Sequence, residues 1–345
     1  MVGLAHRRYR AVLILGALLL PTPAFACDIC AIYTGYELQA TETGPRLGIA
    51  EQYAHLGTLQ DNSVAVANPD DQYMDSSTTQ LLLGYQIHER FGAQLVVPII
   101  SRSFRRPIPT GIQSGDVSGI GDISLVGNFL AYQYTDEETV ALFSVLFGLQ
   151  LPTGNSHLLS EELPSAATPT PIPCHGRDCL DETLFTGKHV GTNDGVQSGI
   201  HGHDLALGSG AVDFIGGARA FASWRRLYGD VTLQYSLRSA GSFDYQYANE
   251  LIVGGGPGVF LLTQDDYTLG LQALLTLETK GNDTVNGIPT DDTGFTGLYV
   301  GPQFHFTWTT HFSADLGADF PAIQNNTGLQ IVPDYRVRLG VVWRF

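Results

Sequence analysis

The stretch that decides the fold is the last one, Asp334-Tyr335-Arg336-Val337-Arg338-Leu339-Gly340-Val341-Val342-Trp343-Arg344-Phe345. Tyr335, Val337, Leu339, Val341, Trp343 and Phe345 fall at every second position, and Arg336, Arg338, Gly340, Val342 and Arg344 take the alternate positions. Side chains point to opposite faces of a β-strand in turn, so one face is wholly apolar while the other carries three arginines. The preceding segment repeats the pattern with opposite charge. It sets Phe312, Ala314, Leu316, Ala318 and Phe320 against Ser313, Asp315, Gly317 and Asp319, so the two strands can pair charges across their ladder.

The same alternation runs back to Arg46, in segments of about ten residues, the length a tilted strand needs to cross a bilayer. Segments at roughly 46–55, 78–88, 91–101, 120–134, 139–151, 210–224, 227–238, 247–262, 267–279, 295–308, 311–321 and 334–345 give about twelve strands, an even number. A soluble sandwich would also alternate, so the pattern alone does not choose between the two. The joins choose. Short turns at His88-Glu89-Arg90, Thr135 to Glu138, Arg225-Arg226, Gln264 to Asp266 and Thr309-Thr310 alternate with long polar loops. Those loops are read at 56–77, 102–119, 152–209, 239–246, 280–294 and 322–333, the arrangement of an outer-membrane barrel with periplasmic turns and extracellular loops. The expected fold is an all-β, closed antiparallel transmembrane barrel with domain limits 46–345. Trp224, Tyr228, Tyr267, Trp308 and Trp343, near strand ends, suit interfacial girdles as well as ordinary strand positions.

The amino terminus supplies the route. Arg7, Arg8 and Arg10 precede an apolar run from Ala11 to Leu20, then Pro21, Pro23, Ala24 and Ala26. This reads as a secretory signal peptide over residues 1–26 with cleavage near Ala26; the run is too short for a transmembrane anchor. Three of the 18 basic residues leave with it, so 15 face 34 acidic ones, an imbalance that argues against nucleic-acid partners. No later segment has the length of an apolar transmembrane helix, which excludes a helical inner-membrane protein. The lipid bilayer of the outer membrane is therefore the expected first partner.

Three short motifs point to a family. Gly119-Ile120-Gly121-Asp122, Leu151-Pro152-Thr153-Gly154 and Leu207-Gly208-Ser209-Gly210-Ala211-Val212-Asp213 resemble landmarks of the outer-membrane β-barrel transporter family named after the meta-pathway of phenol degradation. The resemblance implies a barrel that transports small molecules, and it assigns no phenolic substrate. Phe345 resembles the carboxyl-terminal signature recognised by the outer-membrane assembly machinery.

If the apolar faces meet lipid, the opposite faces line a lumen. The expected lining is Asp122, Asn128, Asp213, Arg219, Asp230, Gln234, Gln272, Glu278, Gln303, His305, Asp315, Asp319, Arg336, Arg338 and Arg344, with Gln80 and Gln86 beside them. Twelve strands fall between the filled eight-stranded barrel and the open sixteen-stranded pore, so the lumen can be narrow or plugged. The functional expectation is a pore for passive transport of small-molecule solutes, with no cofactor and no catalytic residue. No nucleophile sits in a recognisable turn, and Gly254-Gly255-Gly256-Pro257-Gly258 lies in a strand segment as a bend or bulge rather than a phosphate cradle.

Four cysteines form two close pairs. Cys174 and Cys179 sit in the longest loop, where a short disulfide is expected. Cys27 and Cys30, in the amino-terminal segment 27–45, admit a periplasmic disulfide, a redox or metal contact with a periplasmic partner, or no role; Ala31 stands where haem attachment would need histidine. The loop also carries His157, His175, His189, His201 and His203, and the His-x-His pair His201 and His203, with Asp194 and Asp204 nearby, could hold zinc or copper. The competing function is thus a redox- or metal-related binding protein built on the same barrel. Whether the 152–209 loop folds inward or stands outside stays open at this stage.

Overall fold

A computed structural model describes residues 43–163 and 197–345. The signal segment, Cys27, Cys30, Cys174, Cys179, His175, His189 and Asp194 lie outside the described residues.

Twelve antiparallel strands pair in sequence order. They are β1 (Gly44–Asp61), β2 (Tyr73–His88), β3 (Phe91–Ile108), β4 (Gly111–Ile120 continued by Ile123–Thr135), β5 (Thr139–Leu151) and β6 (Asp213–Trp224). The remainder are β7 (Leu227–Leu237), β8 (Glu250–Thr263), β9 (Tyr267–Lys280), β10 (Phe295–Trp308), β11 (Phe312–Asn326) and β12 (Leu329–Arg344). The first strand pairs with the last, Ala50 opposite Gly340, so the sheet closes on itself and leaves no edge unpaired.

Burial identifies the two faces, a matter that alternation left open. Leu83, Val231 and Leu316 are each at least 50% exposed, while Gln272 and Arg336, on the opposite parity, are 2% and 1% exposed. Apolar outside and polar inside is the inverse of a water-soluble protein, and an exposed apolar belt of this extent calls for a hydrocarbon solvent.

The expected strand count holds, and three of the expected loops contract: β1 runs to Asp61 and β2 starts at Tyr73, leaving 62–72 of the expected 56–77 between them. Residues 102–119 continue β3 and β4 as a hairpin with Ile108 opposite Gly111, and residues 322–333 continue β11 and β12 around Thr327-Gly328. Pairing does not stop where the lipid stops: backbone groups above the membrane are still satisfied by a ladder, and polar side chains there read as loop. The glycine-rich run lies in a strand, as expected, with a bend and no bulge. It is strand without a register shift against β7, from Gly254 opposite Thr232 to Gly258 opposite Tyr228. Gly255 and Gly256 adopt φ of +133° and +157°, where a Cβ would strike the Asp230 and Ala273 carbonyl oxygens at 2.1 Å. That twist leaves the Gly256 carbonyl to accept a hydrogen bond from the Gln272 amide at 2.8 Å, and so ties wall geometry to the lumen.

Candidate functional site: the lumen and its inward segment

The interior faces of β6 to β12 carry a belt of paired charges. On β12, Arg336 meets Glu278 of β9 at 2.6 Å and Asp319 of β11 at 3.5 Å, and its guanidinium lies 3.7 Å from the centre of the Tyr299 ring. Arg338 meets the same Asp319 at 2.5 Å, the cross-strand pairing that the two sequence segments suggested. Arg219 on β6 faces Asp230 on β7 at 3.8 Å. Asp230 in turn accepts from Gln272, whose carbonyl oxygen lies 2.9 Å from Nε2 of His305, and Nδ1 of His305 contacts Asp315. Charges removed from water this completely persist only because each has an opposite partner or several hydrogen bonds.

Between the walls lies a cavity of about 160 Å³, bordered by Arg219, Asp230, Gln234, Gln272, Glu278, Gln303, Asp315 and Arg338 of the expected lining. Arg344 sits at the turn-side rim, 3.4 Å from Ser313, and Asn128 is half-buried near Gly92 and Gln86. Sequence reading overlooked Arg46, Arg102 and Arg106, all buried. The parity of β3 runs unbroken from Gly92 to Arg106 and would have revealed the last two, had residues 102–119 not been taken for a loop.

The described parts of the 152–209 loop fold inward. A 3-10 turn (His157–Glu162) and a short helix α1 (Gly202–Leu205) fill the loop-side end of the barrel. Ile200 and Leu205, each 1% exposed, pack with Ala54, Leu56, Met74, Phe104 and Ile331 of the wall. Arg102 donates from Nη1 to the carbonyls of Asp204 at 2.6 Å and Ala206 at 2.9 Å. Arg106 holds Glu161 at 2.9 Å. Gly199 N–H donates to Gln72 and its carbonyl accepts from Ile331 N–H, each at 2.9 Å.

The three family-like motifs meet in one knot at the base of this segment. Asp122 sits in the two-residue break of β4, and its carboxylate accepts from Gly154 N–H at 2.9 Å, Ser209 N–H at 2.8 Å and Ser209 Oγ at 2.9 Å. The chains approach so closely that a Cβ on Gly154 would lie 2.4 Å from the Leu207 carbonyl, and one on Gly208 would lie 2.5 Å from Asp122. Only glycine fits there. Asp213 is similarly engaged, accepting from Arg238 at 2.9 Å and Ser239 N–H at 2.8 Å. Asp122 thus anchors the segment and Asp213 ties β6 to the end of β7, whereas Arg219, Asp230, Glu278, Asp315 and Arg338 of the belt border the cavity.

His201 and His203 come together with Asp204, their ligating atoms all within 4.8 Å. His203 already contacts Glu162 through Nδ1 at 3.0 Å and Asp204 through Nε2 at 3.3 Å, so a cation there would have to displace one of these contacts. Carboxylates on both ring nitrogens suit the doubly protonated imidazolium. Burial opposes its charge, but Asp204, Glu162 and Asp283 outweigh burial and push the His203 pKa up to about 10. Burial likewise opposes the Glu162 carboxylate, and the facing His203 and His201 overcome it and hold its pKa well below the usual range.

A folded-state pKa above the unfolded value of about 6.5 stabilises fully below that pH and is lost as pH rises through about 10. The Glu162 contribution has the opposite sense, present above about pH 4.5 and lost in acid. The inward segment should thus be held best between these limits and loosen in alkali. Subtilisin cleavage at Leu205 is expected to rise several-fold between about pH 7 and pH 10.5, and a His203→Gln variant should show no such step.

The closed wall, apolar exterior and charged interior define a class: a closed antiparallel transmembrane β-barrel. Among solved structures the chain is similar to an outer-membrane channel from Pseudomonas putida F1, with TM-score 0.55 and 14% identity over 88% of this chain and 96% of that one. That likeness bears on fold. Weaker similarities, too low to carry an argument, are to the β domain of the Bordetella autotransporter BrkA (TM-score 0.39, 10% identity, 88% and 100% covered) and the translocator domain of NalP from Neisseria meningitidis (0.36, 15%, 89% and 91%). No protein-family model and no curated protein matches the chain.

Proposed function

We propose that this barrel resides in the outer membrane and passes small solutes passively through its lumen. The inward segment forms the constriction. The observation that carries the reading is the mid-barrel cavity itself: charged and amide side chains border open volume inside a wall whose outer face is apolar. A dry, salt-bridged filling would leave no such space, and the polar lining favours water within it. A second cavity of about 70 Å³, bordered by Arg102, His203, Asp204 and Lys280, lies beside the inward segment, and Glu278 borders both. The path therefore narrows where the segment meets the wall. On this reading the short turns and both chain ends face the periplasm, and the chain acts without catalysis. The three motifs, now joined in one knot, support a kinship with the meta-pathway transporter family, without a phenolic cargo being implied.

Planar-bilayer recording of the purified protein tests the proposal. Discrete conductance steps in KCl, together with liposome swelling in small uncharged solutes, are the expected results. A folded, inserted protein that passes neither would reduce the barrel to a structural element.

A further inference from the structure

We infer that the mid-barrel cavity binds small, uncharged polyhydroxyl solutes and favours their passage over that of ions. This rests on the channel reading and adds a substrate class to it.

The first observation is the kind of polar group at the cavity wall. Five glutamines, Gln52, Gln80, Gln234, Gln272 and Gln303, border it from five different strands. Thr78, Thr232 and Thr276 add hydroxyls between them. An amide offers donors on one atom and an acceptor on another, and a hydroxyl both donates and accepts. A solute hydroxyl therefore finds a partner of either sense whichever way it turns. Ile252 and Leu274, on neighbouring strands of the same wall, give the carbon skeleton apolar surface.

The second observation is charge pairing. Asp230, Glu278, Asp315 and Asp319 supply four carboxylates, each beside a guanidinium or an imidazole: Asp230 with Arg219, Glu278 with Arg336, Asp319 with Arg336 and Arg338, and Asp315 with His305. Glu51, also at the cavity border, accepts from the Ser77 and Thr79 hydroxyls. Charges already engaged within the wall offer an entering ion little in return for the hydration it surrenders. An uncharged hydroxylated solute surrenders less and replaces it with amide and hydroxyl contacts. An apolar solute gains none of these contacts.

Size is the third. A cavity of about 160 Å³ holds about five water molecules, the volume of a small polyol or pentose.

Liposome swelling with arabinose, compared with the similarly sized ions gluconate and N-methylglucamine, tests the inference on the wild-type protein. Arabinose is expected to enter at least about tenfold faster than either ion, and the zero-current potential in a KCl gradient should stay near zero. A Gln80→Leu, Gln303→Leu double variant, with folding checked by heat-modifiable migration, should slow arabinose several-fold and narrow its lead over the two ions. If the ions match arabinose, or the wild-type protein strongly prefers one sign of ion, the polyol inference fails and the channel reading survives. If arabinose is excluded while KCl conducts, the inference fails in the same way. Absence of all permeation overturns the channel reading itself.

Discussion

Replacing Asp122 by alanine is expected to release the inward segment from the barrel wall and raise single-channel conductance several-fold. The carboxylate is the shared acceptor for Gly154 N–H, Ser209 N–H and Ser209 Oγ, and Asp122 is itself buried. Without it, two backbone donors and a hydroxyl are left unmade in a place water reaches poorly, at about 1–3 kcal/mol each. That sum competes with the contacts that hold the segment above: the Arg102 hydrogen bonds, the Arg106–Glu161 pair and the packing of Ile200 and Leu205. Asp122→Asn keeps one acceptor oxygen and should fall between wild type and alanine. Because the wall ladders of β3, β4 and β5 do not depend on this side chain, the variant should still migrate as a folded barrel before heating. A folded Asp122→Ala protein with wild-type conductance would show that the knot does not hold the constriction.

The second large effect concerns the wall. Arg336→Met should lower stability by about 3–5 kcal/mol, the cost of leaving buried charge without its partner. Glu278 and Asp319, 4% and 1% exposed, would lose the guanidinium between them, and Tyr299 would lose a cation 3.7 Å from its ring centre. The temperature at which the folded band converts to the unfolded one on a gel reads the change. Adding Glu278→Gln to the same protein should recover much of the loss, since a neutral amide tolerates burial better than a carboxylate that has lost its guanidinium, while Asp319 keeps Arg338. At the turn-side rim Arg225 and Glu138 form an ion pair at 3.0 Å with side chains 62% and 51% exposed. Breaking that one should cost about 0–1 kcal/mol, because solvent screens it. If both substitutions proved equally mild, water must reach Arg336 freely, and the lumen is wider than its packing implies.

Two-residue periodicity is a local property, and for that reason the strand count, the parity of Arg336 against Val337 and the opposed charges of β11 and β12 could all be read from consecutive residues. The turns between them were legible too, since Arg225-Arg226 or Thr309-Thr310 break an alternation on both sides. The continuation of β3 through Arg102 and Arg106 escaped notice because polar residues on a strand above the membrane resemble a loop. What lies across the lumen is of another kind. Arg102 donates to Asp204 from 102 positions away, and Asp122 gathers Gly154 and Ser209 from 32 and 87 away. Alternation assigns each side chain a face but says nothing of its opposite number. Closing the cylinder brings distant strands to the same height, and only that closure decided that the histidine-bearing segment turns inward, that Asp122 anchors it, and that Arg219, Asp230, Glu278, Asp315 and Arg338 border open space.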